Sequence, residues 1–139
     1  MADDVRYLNF DYFVVAASVA LKMPEPTVRA VVDVGLAESA LAAPAAGFGD
    51  HEQYERFPDK VAILLQRIAS NHPLPDGNKR TALLCAIGFS ALNGWDWVPP
   101  AADEDDGKET DDVVRAAAAG NVPLPALSAW VQLRLRRIA

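Results

Sequence analysis

Apolar residues recur along this chain at the spacing of α-helices, and proline and glycine separate one helical pattern from the next. The clearest pattern is a stripe at positions i, i+3, i+4 and i+7, formed by Val61, Leu64, Leu65 and Ile68. Because side chains at this spacing share one face of a helix, the stripe predicts an amphipathic helix over residues 57–70.

A second pattern, over residues 78–93, is apolar on nearly every side. A helix of this kind is expected to be buried, so we predict that it lies in the middle of the domain. Gly94 is placed to end it in the left-handed conformation. Cys85 lies inside this helix and is predicted to be a small core residue.

Shorter helices are predicted on both sides of this pair. Capping residues are available at Asn9 or Asp11, Asp33 and Thr110, and the predicted helices cover residues 9–23, 27–32, 34–43 and 111–119. A last helix is predicted over residues 124–138, with Arg134, Arg136 and Arg137 in its final turn. The helix dipole favours positive charge there, so we expect these arginines to be solvated.

Two stretches have no helical period. Residues 44–54 contain Gly47 and Gly49 and are predicted to form a surface loop, in which His51 is a solvated side chain. Residues 103–106 are all acidic, and such a run is interpreted as a solvated loop rather than a metal site.

Composition fits a single all-α domain, residues 1–139, because 51% of the residues are hydrophobic and few are aromatic. The net charge of −6 argues against direct binding to nucleic acid, which requires a basic face, but leaves a local nucleotide pocket open. We find no signal peptide pattern and no apolar run long enough to cross a bilayer. We therefore expect a cytoplasmic protein without a membrane partner.

Nearly all the polar groups suited to chemistry lie in residues 71–81, between the two main helices. His72 and Leu74 each precede a proline, so both are predicted to be extended. Asp76 and Gly77 form a turn, and a new helix begins near Asn78.

The N-terminus of that helix presents unpaired amides, and together with Lys79 and Arg80 it predicts an anion site. Positive side chains oppose the dipole there, which indicates a compensating anion. His72 is a candidate base and Asp76 a candidate ligand for magnesium, a set suited to phosphoryl or nucleotidyl transfer.

Each of these residues also has a structural interpretation. His72 could end the preceding helix or be a hydrogen-bonded core histidine. The alternative for Asp76 is that it shapes the turn and binds no metal. Asn78 could bind phosphate or cap the helix. Gly77 allows backbone amides to approach a phosphate closely.

Residues 72–80, His-Pro-Leu-Pro-Asp-Gly-Asn-Lys-Arg, resemble the signature of the Fic/Doc family. Lys79, followed by Thr-Ala-Leu, is similar to the Doc branch, whereas Fic proteins have glycine at this position. Leu74 replaces the family's phenylalanine and is expected to fill the same core position. A weaker resemblance covers residues 33–93.

The resemblance implies a helical bundle around a central buried helix, with residues 44–54 as a flap that binds an extended target segment by strand addition. It also implies ATP and magnesium, with His72 as the catalytic base and Asp76 as the metal ligand. The nucleotide is expected to contact Gly77, Asn78, Lys79 and Arg80.

For the Doc branch the resemblance implies transfer of the ATP γ-phosphate to a threonine of elongation factor Tu. For Fic proteins it implies transfer of AMP to a target hydroxyl, and a binding module without catalysis is a third possibility. Fic proteins often carry an inhibitory serine or threonine followed four residues later by glutamate. This sequence has no such pair, so we expect inhibition by a separate antitoxin.

Overall fold

The computed structural model describes residues 4–101 and 107–138, and in these ranges the chain forms seven α-helices and two small antiparallel sheets. The predicted all-α fold with a short hairpin is confirmed. The acidic residues 103–106 lie outside the described ranges. The elements are α1 (Phe10–Leu21), α2 (Glu25–Val31), α3 (Val34–Ala42), a 3-10 turn (Ala43–Ala45), β1 (Gly47–Phe48), β2 (His51–Glu52), α4 (Phe57–Asn71), α5 (Asn78–Leu92), β3 (Trp95–Trp97), α6 (Lys108–Ala118), α7 (Leu124–Gln132) and β4 (Leu135–Arg137).

The centre of the core is α4, which packs against α3, α5, α6 and α7. Its predicted stripe is almost completely buried, and each such aliphatic side chain contributes about 1.5–3 kcal/mol of burial free energy. Helix α5 packs against α1, α4 and β3, as predicted for a helix in the middle of the domain. It is not buried on every side, because Leu83 and Ile87 line a cavity and are only half-buried.

The helix boundaries follow from local capping. Asn9 accepts a hydrogen bond from the amide of Tyr12, and Asp33 accepts one from the amide of Leu36. Gly94 follows α5 with a φ of +85°, a left-handed value that glycine adopts without strain. These three predictions are confirmed.

Lys60 belongs to the polar side of α4, yet it is only 1% exposed. Its Nζ atom donates to a carboxylate oxygen of Glu52 at 3.1 Å and to the carbonyl of Pro44 at 3.5 Å. Both partners belong to the segment that carries the β1–β2 hairpin. The hairpin segment therefore covers a face of α4 that periodicity alone would assign to solvent.

The C-terminal prediction was wrong. Helix α7 ends at Gln132, and the chain continues as β4, which pairs antiparallel with β3. Arg137 lies over the ring of Trp95, and Arg134 is 1% exposed rather than solvated. Pairing with a tryptophan-containing strand, a tertiary contact, overrides the local helical pattern.

Cys85 is a core residue, as predicted, and burial raises the pKa of its thiol to about 12. Because the thiolate is the reactive form, we expect iodoacetamide to leave Cys85 unmodified in the folded protein at about pH 8.5, the ordinary pKa of a free thiol. Mass spectrometry should detect labelling only after denaturation. Labelling of the native protein at the rate of a free thiol would contradict the burial.

The same shift affects stability at alkaline pH. The pKa of Cys85 is higher in the folded state than in the unfolded state. The contribution of its protonated thiol to the free energy of unfolding is therefore complete below about pH 8.5, where a free thiol also stays protonated. That contribution is lost as pH rises toward the folded value.

Candidate functional site

The motif loop, residues 72–77, joins the end of α4 to the start of α5. His72 is the C-cap of α4, with φ 53° and ψ 56°, so the prediction of an extended residue was wrong. The left-handed conformation ends the helix immediately before Pro73, and for a residue other than glycine it costs about 1–2 kcal/mol. It also leaves the imidazole exposed.

Three contacts fix the loop to the core. Leu74 is 3% exposed, as expected for the position that anchors the loop. Its amide donates to Oδ1 of Asn78 at 2.9 Å, and its carbonyl accepts from Nδ2 of Asn78 at 2.8 Å. The carbonyl of Pro73 accepts from the amide of Asp33 at 2.8 Å.

Asn78 therefore has a role that sequence reasoning missed. Its side chain was predicted to bind phosphate or to cap α5, but the N-cap is Gly77 and the amide group of Asn78 holds the loop closed. Asn78 still contributes to the lining of the cavity described below.

Gly77 has a φ of +73°, and no side chain caps the first turn of α5. The first amides of a helix lack intrahelical acceptors, so these donors remain available to a ligand. A Cβ atom on Gly77 would lie 2.7 Å from Cδ2 of Leu21, so any other residue here would also displace the end of that side chain at the C-terminus of α1.

Arg80 contacts the end of α1 as well. Its Nη1 atom donates to the carbonyl of Ala20 at 2.8 Å, which fixes the guanidinium between two helices. The predicted phosphate ligands Lys79 and Arg80 both line the cavity above this turn.

The cavity has a volume of about 650 Å³. One wall consists of residues 76–80 and the half-buried face of α5, formed by Leu83 and Ile87. The other lining residues, which we call the far wall, follow α5 in the sequence and are Trp97, Pro99, Gly107, Thr110, Asp111, Val114 and Arg115. Five of the six predicted site residues therefore lie together.

His72 is the exception, because it is not among the described residues that line the cavity. It lies on the surface at the opposite end of the motif loop from Asp76. An imidazole at this place is accessible to groups on another molecule.

The cavity is locally positive in an acidic chain. Its charged side chains are Lys79, Arg80 and Arg115 against Asp76 and Asp111, three positive and two negative. Arg115 donates to Asp111 at 2.8 Å, and this hydrogen bond raises the pKa of the Arg115 guanidinium. The remaining positive charge therefore belongs to the first turn of α5, where the dipole also favours an anion.

The cavity contains two carboxylates, Asp76 and Asp111, and Asp111 accepts a hydrogen bond from Arg115, so Asp76 is the better placed of the two to hold a metal. Within residues 4–101 and 107–138, no three histidine, cysteine, aspartate or glutamate side chains converge. Asp76 alone suits Mg²⁺, which is usually held by one or two carboxylates together with substrate phosphates, and does not suit a closed zinc site.

Two comparisons with known proteins identify the family of this chain. The family model described as "Fic/DOC family" matches residues 14–90, which include α4, the motif loop and most of α5. The chain belongs to the Fic/Doc family. "Toxin Doc" of Mycolicibacterium smegmatis (strain ATCC 700084 / mc(2)155) is 38% identical over 124 residues, or 89% of either chain. No solved structure matches the chain significantly.

The Fic/Doc match separates the cavity into two parts. The wall that carries the motif lies inside residues 14–90, whereas every residue of the far wall follows that segment. Sequence reasoning missed the far wall, because Trp97 has the pattern of an ordinary strand residue and Thr110 that of a helix cap. Only the folded chain brings them into the same cavity as Lys79.

The role of Asn78 can be tested by Asn78→Ala. This change leaves the buried amide and carbonyl of Leu74 without partners, so we expect a loss of about 2–4 kcal/mol in the free energy of unfolding in urea. Asn71→Ala is a matched control, since Asn71 makes one longer hydrogen bond, 3.4 Å, to the carbonyl of Leu36. Equal effects would contradict the role of Asn78.

The packing of Gly77 can be tested against a glycine of similar conformation. Gly120 has a φ of +76° and open space around the position of a Cβ atom. We expect Gly77→Ala to reduce the free energy of unfolding by about 1 kcal/mol more than Gly120→Ala, because only Gly77 meets Leu21. Equal losses would show that backbone strain alone requires glycine at 77.

Proposed function

We propose that this protein is a Doc-type toxin that transfers the γ-phosphate of ATP to a threonine hydroxyl of a translation factor. The observation that carries the proposal is the cavity at the N-terminus of α5, with Lys79 in its wall, in a chain 38% identical to a protein named "Toxin Doc". On the resemblance of the motif, the expected target is elongation factor Tu, and its modification would stop translation.

The cavity fits a nucleotide in size and in charge. Small-molecule sites are typically about 300–1,000 Å³ and mostly apolar with a few polar groups, and this cavity lies in that range. The first turn of α5 supplies amides, Lys79 and Arg80 for phosphates. Leu83 and Trp97 supply apolar surface for the rest of the molecule.

In the proposed reaction, the imidazole of His72 accepts the proton of the target threonine. The threonine oxygen forms a bond to the γ-phosphorus, and the bond from that phosphorus to the bridging oxygen breaks to release ADP. Asp76 would hold Mg²⁺, which neutralises phosphate charge when bound. Catalysis then rests on positioning and charge stabilisation, as is general for phosphoryl transfer.

Lys79 supports transfer of the γ-phosphate rather than of AMP. Glycine at this position leaves room for phosphates in one orientation, whereas a long cation fills that room and favours another. AMP transfer is the second candidate, since His72, Asp76 and Arg80 would serve either reaction. A binding module without catalysis is the third.

The flap supports a protein target. Its hairpin pairs Gly47 with Glu52 and Phe48 with His51, and Phe48 is 89% exposed. An exposed strand edge binds an extended peptide through backbone hydrogen bonds. We infer that the target segment adds to this hairpin.

Regulation is proposed to come from a separate antitoxin in the cytoplasm. The sequence has no serine or threonine followed four residues later by glutamate, the pattern of internal inhibition in Fic proteins. No helix in the described part of the chain combines the length and apolarity that a membrane span requires. Toxicity relieved by co-expression of a small neighbouring protein, which also co-purifies, is the expected result.

The reaction is tested with ATP labelled at the γ or the α position, purified elongation factor Tu and magnesium. We expect γ label alone to be transferred. His72→Ala should reduce the rate by about 10²–10⁴-fold, the usual contribution of a general base.

Other outcomes distinguish the alternatives. Transfer of α label, or a mass increase equal to AMP, would establish the second candidate. Toxicity in cells that His72→Ala leaves unchanged would establish a binding module.

A further inference from the structure

The side chain of Arg134 is the largest one in the described chain that is fully buried, at 1% exposure. Its guanidinium lies over the ring of Trp130, with 3.8 Å from Cζ to the ring centroid. Nη1 donates to the carbonyl of Trp130 at 3.0 Å, and Nη2 donates to Glu109 at 3.4 Å. A guanidinium held in this way has few rotamers available.

The contacts of Arg134 with Trp130 and with Glu109 lead to the far wall of the cavity. Trp130 meets Trp97 edge to face, with ring centroids 5.7 Å apart, and Trp97 lines the cavity. Glu109 is in the first turn of α6, directly before Thr110 and Asp111, which also line it. One buried cation therefore supports the aromatic part of the wall and the helix beside it.

An arginine is not the residue that stability would select most readily at a buried place. Removing a guanidinium from water carries a desolvation penalty that can exceed the attraction within a buried ion pair. Buried ion pairs of this kind are frequently replaced by apolar residues without loss of stability. The arginine instead provides a fixed geometry, because its contacts join α7, α6 and, through Trp130, β3.

We propose that Arg134 is a positioning residue that holds α6 and Trp97 in place as the far wall of the nucleotide cavity. The proposal rests on nucleotide binding as the function of the cavity. Arg134 does not itself line the cavity, so it acts through Trp130 and Glu109. A wall held in place keeps its apolar surface at a fixed distance from Lys79.

The test compares Arg134→Met with Arg136→Met, which makes the same change at an exposed residue two positions along β4. Hydrogen–deuterium exchange of the ligand-free protein should show faster exchange in α6 for Arg134→Met and no change in α5. Calorimetric titration with ATP and magnesium should give a Kd about three- to thirtyfold higher for Arg134→Met. Arg136→Met should match the wild type in both measurements.

Two further readouts separate positioning from a general loss of folding. The rate at saturating ATP should be unchanged while the KM for ATP rises, because neither His72 nor the motif residues 76–80 belong to the far wall. Glu109→Gln changes a half-exposed side chain and should also raise the Kd for ATP. This variant keeps the test valid if Arg134→Met does not fold.

Unchanged exchange in α6 of a folded Arg134→Met protein would overturn the proposal. So would faster exchange with an unchanged Kd for ATP. If the wild type itself binds no ATP, the proposed function fails, and the exchange measurement alone decides whether Arg134 holds α6.

Discussion

The pair of hydrogen bonds between the side chain of Asn78 and the backbone of Leu74 is the constraint on which the site depends. It closes the motif loop between two packed helices, so that the end of α4 and the start of α5 keep a fixed relation. Without these hydrogen bonds, nothing else within the loop would fix the position of His72 at one end relative to the amides of α5 at the other. The core supplies rigidity, and this contact transfers it to the polar residues.

The site is built on two levels of structure. The motif wall is local in sequence, since residues 76–80 are consecutive and a single helix terminus gathers their amides and charges. The far wall is assembled from β3 and α6, which meet only in the folded chain. The family match has the same division, because it covers the first wall and ends before the second.

The same division explains how much could be predicted from the sequence. Helices α4 and α5, the caps at Asn9 and Asp33 and the grouping of Asp76, Lys79 and Arg80 at the start of α5 followed from periodicity, capping chemistry and the motif. The conformation of His72, the burial of Lys60 and Arg134, and strand β4 could not be predicted, because distant partners decide each of them. A polar residue at an outward position in a helical pattern is buried when another segment of the chain covers it.

The contact between Arg80 and Ala20 has a consequence for the choice of cation at position 80. A guanidinium carries five donors on a planar fork, so one N–H can bind the carbonyl at the end of α1 while others remain for a phosphate of the proposed nucleotide. A lysine ammonium is a compact group at the end of a flexible stem, and it would have to serve one of these acceptors at the expense of the other. Under the proposed function, arginine at this place would join scaffold and nucleotide through one rigid group.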